Sequence, residues 1–405
     1  MGDPTRDLEQ WIPRLIATWR RHRKGGRPQH GARGGKPHGR GGPRFVEDEL
    51  PENNLTRDEL REVGAGVKQL SLGLTRNREL AGARYMDDPK LLGAYLLFYW
   101  PVSYAQGRAT LSELTARPRA VLDLGSGPGP LALATLDAGA TSVVAADRSR
   151  PALELARALA TEAGEGIATR EWSPEKPLPD GRFDLITMGH VVNELFNGQI
   201  APRAALLEKI LERVNPGGSL VVIEPALRDT SRALLQVRDV LVSRGYAVRA
   251  PCLFRGNCPA LIKESDWCHA ERSWRMPRLV EDIAKAAGLH KESLKMSYLV
   301  LAPKGEAWAE PPPGSLFRIV SEALEGKGRQ RFMGCGPEGR IGLAMQEKHE
   351  TEKNRLFFKV SRGDVIRVTD TEERGDGRAL TEQSTVEIVA HAGRPLTRPA
   401  PDAPR

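Results

Sequence analysis

Short apolar runs and amphipathic segments alternate regularly over residues 119–302. The runs AVLDLG, SVVAAD, FDLITMGH, SLVVIEP and SYLVLAP are separated by helix-like segments such as SRPALELARALATEAG and PRAALLEKILERV. Strands that alternate with helices form a parallel-type sheet covered by helices on both faces. The runs are almost continuously apolar, as strands buried on both faces require. The sequence therefore predicts an α/β domain over residues 119–303.

The segments on either side of this domain have different patterns. Residues 45–118 predict an N-terminal helical layer, in which Thr56 and Glu59 have the spacing of a helix-capping box. Residues 304–314 (KGEAWAEPPPG) predict a linker. Residues 315–394 contain short strand-like runs divided by glycine and charge, which predict a small antiparallel β domain. The Pro-rich residues 395–405 predict a loose tail.

The net charge of +8 is concentrated at the N-terminus. Residues 1–44 contain eleven Lys/Arg and three Asp/Glu, so their excess of eight equals the net charge of the chain. We interpret residues 1–44 as a basic, Gly/Arg-rich disordered arm, with helical apolar spacing over residues 3–24. Binding to RNA phosphates is the favoured function of this arm. A solubilising tail and an Arg-rich mitochondrial presequence remain alternatives.

A glycine-rich loop joins the first predicted strand to the next helix. In VLDLGSGPGPLALATL, Asp123 precedes Gly125, Gly127 and Gly129, and Asp147 ends the following strand. Glycines allow a tight turn and close approach of a ligand. The pattern D-x-G-x-G-x-G differs from the dinucleotide pattern G-x-G-x-x-G, and it favours S-adenosylmethionine. A ligand-free α/β domain with a structural glycine turn is the alternative.

These motifs resemble those of class I S-adenosylmethionine-dependent methyltransferases, over roughly residues 119–225. The resemblance implies a Rossmann-like sheet in which Asp123 orients the methionine amino group and the three glycines line the ligand. It also implies that Asp147 holds the ribose and that Trp172 flanks the adenine.

Catalytic residues are less clearly indicated. The segment after the fourth strand reads MGHVVNEL and lacks the Asn/Asp-Pro-Pro-aromatic loop typical of amino-group methylation. His190, Asn193 and Glu194 are candidate bases or substrate ligands. In the alternative interpretation, Asn193 and Glu194 simply open the next helix.

Three of the four cysteines lie within seventeen residues. Cys252, Cys258 and Cys268 have the spacing C-x5-C-x9-C inside a predicted insertion, residues 250–275, and Cys335 lies in the β domain. Thiolates suit zinc or iron–sulfur clusters. Structural zinc sites usually contain C-x2-C, which is absent here, so the spacing favours a bulkier cluster over zinc. Four unrelated buried thiols are the remaining alternative.

The blocks APCLFRGNCP, DWCHAERSW and GCGPEGR resemble a methyltransferase-like family associated with the small ribosomal subunit, which includes a mitochondrial ribosome-assembly factor and bacterial relatives. YWPVSYAQ, HVVNEL and VVIEP resemble further blocks of that family, so the match covers roughly residues 80–368. The resemblance implies that the four cysteines hold a 4Fe–4S cluster. It also implies that the chain binds small-subunit ribosomal RNA and its precursor.

Two functions follow as hypotheses. The chain is either an active rRNA methyltransferase or a non-catalytic assembly factor that keeps the fold and the cofactor pocket. A radical methylating enzyme would require C-x3-C-x2-C, which is absent. The sequence has no run of eighteen apolar residues and no apolar signal core, so we expect no membrane association. We expect a monomer in the cytoplasm, with the mitochondrial matrix as the alternative.

Overall fold

A computed structural model describes residues 6–25, 54–308 and 310–396. Its helices are α1 (Arg6–Glu9), α2 (Trp11–Gly25), α3 (Arg57–Ser71), α4 (Pro89–Ala94), α5 (Trp100–Leu111), α6 (Pro130–Leu136), α7 (Arg150–Glu162), α8 (Ile200–Leu211), α9 (Arg228–Ser243) and α10 (Arg278–Ala287). Shorter helical turns include Tyr85–Asp87 and the π-helical Tyr95–Tyr99, which joins α4 to α5. No helix in these ranges is long and apolar enough to cross a membrane.

The first sheet has eight strands. They are β1 (Ala120–Leu124), β2 (Ser142–Asp147), β3 (Ala168–Glu171), β4 (Phe183–Gly189), β5 (Val214–Pro225), β6 (Val248–Ala250), β7 (Ala270–Arg272) and β8 (Leu294–Leu301). Their order is β3-β2-β1-β4-β5-β8-β6, and β7 pairs with the first residues of β8. The strands β3 to β5 along this order are parallel, whereas β8 is antiparallel to β5. This arrangement confirms the predicted class I methyltransferase type of α/β fold.

Helices cover both faces of this sheet because its strands are apolar on both faces. One buried cluster lies under α2 to α7 and α10, and the second lies under α8 and α9. In the helical layer, the capping box predicted at Thr56 is confirmed. The Thr56 hydroxyl accepts the Glu59 N–H, and the Glu59 carboxylate accepts the Thr56 N–H.

The N-terminal helices differ from the predicted arm. Residues 1–44 were interpreted as one disordered arm, yet α1 and α2 belong to the helical layer. Leu8, Trp11 and Leu15 are at most 1% exposed, and the Trp11 indole N–H donates to Asp137 at 2.8 Å. The physical reason is the helical spacing of the apolar residues, which gives α2 a face that must be buried. The Gly/Arg-rich part of the arm lies outside the described residues.

The second sheet closes into a small barrel. Its strands are β9 (Leu316–Ile319), β10 (Leu324–Gly326), β11 (Arg329–Gly336), β12 (Gly339–Gln346), β13 (Val365–Arg374) and β14 (Gly377–Ala390). Five of them close in the order β9-β11-β12-β14-β13-β9, and β10 extends the edge of β11. The predicted antiparallel β domain is confirmed with one difference, since β12 and β14 are parallel.

Buried charges join the barrel to the first sheet. Glu113, which follows α5, accepts a hydrogen bond from Arg272 of β7 at 2.8 Å and another from the Tyr298 hydroxyl of β8. Arg318 of β9 lies 3.8 Å from the same carboxylate. A buried carboxylate requires such partners, since an unpaired charge there would be costly. The barrel is therefore packed against the edge of the first sheet that carries β7 and β8.

Candidate cofactor cavity and cysteine junction

The glycine loop turns sharply at the carboxyl end of β1. Gly125, Gly127 and Gly129 all have positive φ, at 69°, 51° and 78°. A Cβ atom on Gly125 would lie 2.3 Å from Val191 Cγ2, so the position has no room for a side chain. The backbone at Gly125 thus lies so close to the segment that follows β4 that only glycine fits at this position.

Two buried carboxylates hold this loop in place. Asp123 accepts the Ala132 N–H at 3.0 Å and the Thr187 hydroxyl at 2.7 Å. Asp147 accepts the Gly127 N–H at 2.8 Å. Burial raises the pKa of Asp123 to about 7 and raises the pKa of Asp147 as well, because few partners replace the lost water. Each carboxylate retains lone pairs beyond those already used.

A cleft of about 590 Å³ opens beside the loop. Gly125, Asp147 and Trp172 line it, so three of the residues singled out in the sequence meet there. The Trp172 indole N–H is buried without a hydrogen-bond partner among the described residues. The cleft is within the size range of sites for small ligands.

The other wall of the cleft comes from the helical layer and was not predicted. Residues 81–87 lie over the cleft together with Tyr95. Arg148, which follows Asp147, donates to the carbonyl of Gly82 at 2.9 Å and so attaches this segment to the end of β2. The contact joins residues 66 positions apart. The sequence RYMD of residues 84–87 matches no ligand-binding motif, so this wall of the cleft could not be predicted from the sequence.

The three catalytic candidates have different surroundings. His190 and Glu194 line the cleft, whereas Asn193 is not among its lining residues. The Asn193 carboxamide oxygen accepts from Arg78 at 2.8 Å, which indicates a structural role. His190 pairs through Nε2 with Gln106 at 2.8 Å, and burial lowers its pKa to about 4, so this ring is neutral at pH 7. Burial raises the pKa of Glu194 to about 7.

One buried acid near the cleft was missed in the sequence. Glu224 ends β5, is 1% exposed, and accepts the Asn193 N–H at 3.2 Å. Its other oxygen has no hydrogen-bond partner among the described residues. Burial raises the pKa of this carboxyl to about 8. The available signal was an acid at the end of an otherwise apolar strand in VVIEP, next to the predicted ligand edge of the sheet.

Helix α9 organises the loops that carry the first three cysteines. The Arg238 side chain, 1% exposed, donates to the carbonyls of Phe254 and Gly256 at 2.5 Å each. Asp239 accepts the Cys258 N–H at 2.9 Å. Six residues earlier on the helix, Arg232 donates to four carbonyls of residues 260–266. A loop without regular structure thus has its backbone groups satisfied by side chains of one helix.

Cys335 lies where the barrel contacts this loop. Cys335 lies on β11, directly opposite Arg340 of β12, and Arg340 lies 3.2 Å from Asp266 of the loop. The thiolate charges of the other three cysteines contribute to raising the pKa of Cys335, after burial, which is the main cause. All four residues are free and part-buried. The Cys335 thiol therefore lies close enough to the other three cysteines for their charges to influence its pKa.

Arginines surround these thiols. Burial, followed by the neighbouring thiolates, raises the pKa of Cys258 to about 12 and that of Cys268 to about 11. The positive charges of Arg340, Arg362 and Arg318 oppose this rise at Cys268. These guanidinium groups therefore offset part of the cost of a negative charge at Cys268. His269 stacks on Trp267 at 4.2 Å and lies beside Arg362.

Within the described residues, no three His, Cys, Asp or Glu side chains are arranged to hold a single metal ion. A tetrahedral zinc site requires each sulfur about 2.3 Å from the ion. The arrangement of the described residues accordingly supports neither the zinc alternative nor the iron–sulfur assignment. The iron–sulfur assignment of the four cysteines stays a prediction.

Comparison with known proteins identifies a family match over most of the chain. Residues 91–376 match the family described as "Mitochondrial small ribosomal subunit Rsm22". The matched range contains the glycine loop, the cleft residues that follow it, and all four cysteines.

Individual relatives are methyltransferases. A ribosomal protein L11 methyltransferase of Pelobacter propionicus is 35% identical over 129 residues, which cover 32% of this chain and 36% of the relative. A trans-aconitate 2-methyltransferase of Streptomyces coelicolor is 25% identical over 226 residues, covering 54% and 66%. The chain thus spans less than two thirds of the length of either relative. A solved O-methyltransferase family protein of Burkholderia thailandensis is 14% identical, with a TM-score of 0.39 and coverage of 64% and 76%.

Proposed function

This chain belongs to the family of the mitochondrial small ribosomal subunit protein Rsm22, and on that premise we propose that it binds small-subunit ribosomal RNA and its precursor during ribosome assembly or translation. In this proposal it is a methyltransferase-like protein that binds S-adenosylmethionine and carries a 4Fe–4S cluster. The observation that carries the proposal is the family match, since one continuous range of residues includes the glycine loop, the cleft residues that follow it and all four cysteines.

The cleft supports S-adenosylmethionine as its ligand. The cofactor has a sulfonium and an ammonium group, and Asp147 and Glu194 provide carboxylates in the cleft, whereas Asp123 lies buried behind the glycine loop and is not among the lining residues. Trp172 contributes an indole face and an N–H that has no partner among the described residues. When bound, the cofactor would supply an electrophilic methyl group. The residues of the cleft would bind and orient it and exclude water, which is most of what methyl transfer requires.

The junction supports an iron–sulfur cluster through its donor set. Four thiols gather where two sheets meet, and a cuboidal cluster with four thiolate ligands is an anion that nearby guanidinium groups stabilise. The proposed ligands are Cys252, Cys258, Cys268 and Cys335. Because Cys335 belongs to the barrel and the others to the loop beside β6 to β8, the cluster would attach the two units to each other.

We propose that the chain is located in the same cellular compartment as the small ribosomal subunit that it binds. The description of the matched family favours the mitochondrial matrix, the alternative given above, over the cytoplasm. We propose that the chain acts as a monomer on its RNA.

The proposal is tested on anaerobically purified full-length protein. We expect about four iron and four sulfide per chain, broad absorbance in the visible range, S-adenosylmethionine binding by calorimetry, and ultraviolet crosslinks to small-subunit rRNA in cells. Colourless protein with one zinc would contradict the cluster. Crosslinks confined to other RNA would contradict the ribosomal assignment.

A non-catalytic assembly factor is the second candidate, and a specific observation favours it. All three polar residues after β4 already have protein partners, since Asn193 accepts from Arg78, His190 pairs with Gln106, and Glu194 accepts the Gly82 N–H at 3.2 Å. Methylated nucleotides of small-subunit rRNA can be mapped by mass spectrometry in cells lacking the protein. A mark restored by the wild type but not by Glu194→Gln identifies an enzyme. Unchanged marks together with defective subunit assembly identify the assembly factor.

A further inference from the structure

The barrel has the topology of an oligonucleotide-binding fold. Numbered along the barrel, its strands β9, β11, β12, β13 and β14 close in the order 1-2-3-5-4-1, with the third and fifth parallel. Short helical turns at Glu347–His349 and Arg355–Lys359 stand between the third and fourth strands. This is the connectivity of the OB-fold, whose second and third strands and adjoining loops bind oligonucleotides or oligosaccharides.

A basic groove lies on the corresponding face of this barrel. It crosses β11, β12 and the start of β14, and the hairpin between β13 and β14 borders it. Four arginines line this groove: Arg329, Arg331, Arg374 and Arg378. Asp376 is the only acid among the lining residues. We call this surface the arginine groove.

The two arginines on β11 are available to a ligand. Arg329 and Arg331 are exposed, whereas Phe332, the residue after Arg331, is 1% exposed and faces the barrel core. Neither arginine has an ion pair or side-chain hydrogen bond within the described part of the chain. By contrast, Arg378 pairs with Glu338 at 3.0 Å and Arg374 lies 3.5 Å from Glu372.

Small residues form the floor of the arginine groove. Ala344 of β12 lies opposite Arg331, and Gly342 lies opposite Gly377 of β14. A Cβ atom on Gly377 would lie 2.5 Å from the Gly342 carbonyl oxygen, so no side chain can rise there. A ligand in the groove would therefore reach the strand backbone while guanidinium groups contact it from one side.

Further basic residues continue the surface. A neighbouring depression is formed by residues 326–329 and 346–348, and it includes Lys327 and Lys348 together with Glu347. Arg329 lines both depressions. Positive charge thus extends from the β13–β14 hairpin to the loop before β11, along a path of the kind that phosphate backbones follow on OB-folds.

We propose that the arginine groove binds a single-stranded segment of RNA through its phosphates. The identity of this RNA as ribosomal rests on the proposed function, whereas the contact surface rests on the barrel itself. No Phe, Tyr or Trp lines the groove, and its one aromatic ring, that of His349, pairs with Glu382 at 3.3 Å. Base stacking therefore contributes little and recognition tolerates many sequences. Phosphate contacts of this kind weaken steeply with salt because they release bound counterions.

The test uses the full chain and a fluorescein-labelled RNA of mixed sequence, about 12 nucleotides long, within the site sizes of OB-folds. Fluorescence anisotropy between 50 and 200 mM salt compares the wild type with Arg329→Gln/Arg331→Gln. The matched control is Arg61→Gln/Arg278→Gln, which removes two exposed arginines, 71% and 86% accessible, from the helical layer. Circular dichroism verifies the fold of each variant.

We expect the groove variant to bind the single strand about tenfold more weakly, with a salt slope smaller by about 1.4, which corresponds to two lost phosphate contacts. The control variant should bind like the wild type. Equal loss in both variants, or no loss in the groove variant, would overturn the proposal. So would equally tight binding of the same RNA as a duplex.

Two further outcomes separate this inference from the proposed function. If poly-glutamate displaces the RNA with equal affinity and depends on the same two arginines, the groove is a site for an acidic protein segment and the proposal fails. If the wild type crosslinks to small-subunit rRNA but the groove variant binds RNA undiminished, only the groove assignment fails. If the wild type binds the oligonucleotide through the groove without ribosomal crosslinks, only the ribosomal function fails.

Discussion

The cleft and the cysteine junction are opposite in charge and in construction. The cleft lies at the carboxyl ends of β1, β2 and β4, and its buried ionisable groups include the acids Asp147 and Glu194 together with the neutral His190. The junction lies beside β6 to β8 at the far edge of the same sheet, and arginines such as Arg238 and Arg340 surround its thiols. The cleft thus favours a cation and the junction an anion.

The difference in construction has a consequence for stability. The cleft residues belong mainly to one sheet and its flanking helices, so losing a ligand there leaves the packing of the barrel untouched. The junction draws on two units, since Cys335 is on β11 and the remaining thiols are in the loop over α9. Changes at the junction should therefore affect folding, whereas changes at the cleft should affect binding alone.

The largest effect is expected from Cys335→Ser. If the cluster joins the units, this variant should lose most of its iron and unfold at a temperature lower by about ten degrees, because bound cofactor contributes directly to folding. Iron analysis and differential scanning calorimetry measure both quantities. Binding of S-adenosylmethionine should persist. Full iron content in Cys335→Ser would mean that Cys335 is not a cluster ligand and that the cluster does not join the barrel to the first sheet.

Next in size is Arg238→Ala. The substitution removes a buried guanidinium that pairs with Asp239 and two backbone carbonyls. We expect a loss of about 3–5 kcal/mol in the free energy of unfolding, because the partners are left unpaired. Urea denaturation provides the measurement. Arg244→Ala, near the end of the same helix with a 44% exposed side chain, is the control and should cost under about 1 kcal/mol.

A smaller effect, confined to the cleft, is expected from Gly125→Ala. The added methyl group meets Val191 and the backbone has positive φ, so the loop must shift. S-adenosylmethionine affinity should fall at least about tenfold by calorimetry, with iron content unchanged. Gly164→Ala has similar φ, 76°, but nothing within 4 Å of the new atom, so it isolates backbone strain. Equal affinity losses in the two variants would refute the close approach at Gly125.

The smallest effect concerns pH. Burial raises the pKa of Asp123 and of Glu194 to about 7. Between the unfolded pKa near 4 and this value, the folded state binds more protons, so these two groups lower the stability of the ligand-free protein as pH rises to about 7. A cation binds best to the ionised carboxylates. We therefore expect S-adenosylmethionine affinity to rise severalfold from pH 6 to 8.

Calorimetry at pH 6, 7 and 8 measures this dependence. S-adenosylhomocysteine, which lacks the sulfonium charge, should show a weaker rise over the same range. An affinity for S-adenosylmethionine that is constant with pH would mean that neither carboxylate senses the cofactor.

Much of the α/β fold could be predicted because its signals are local. Apolar runs of strand length recur between amphipathic helices, and Asp123, the glycines and Asp147 occupy fixed places at strand ends. The cleft was predicted only in part. The wall formed by residues 81–87 and the surroundings of the buried Glu224 depend on contacts between distant segments. Patterns within a single sequence do not reveal such contacts.

The N-terminus illustrates the same limit in a different form. The spacing of Leu8, Trp11 and Leu15 predicts a helix, whereas the high positive charge of residues 1–44 predicts a disordered arm. The helix is buried because Trp11 and its neighbours find an apolar surface on α5 and α7, including contact with Trp100. Charge composition is an average over a whole segment. Burial of a helix depends instead on whether its apolar face packs against another apolar surface.

By itself, the sequence determined the alternation of strands and helices, the ligand-type loop after β1 and the cysteine-rich insertion, since each depends on residues close together in the chain. Only the tertiary structure decided that β11, β12 and β14 form a basic groove and that α9 supports the cysteine loop. Those relations depend on how strands pair across long separations, which is governed by the packing of whole elements.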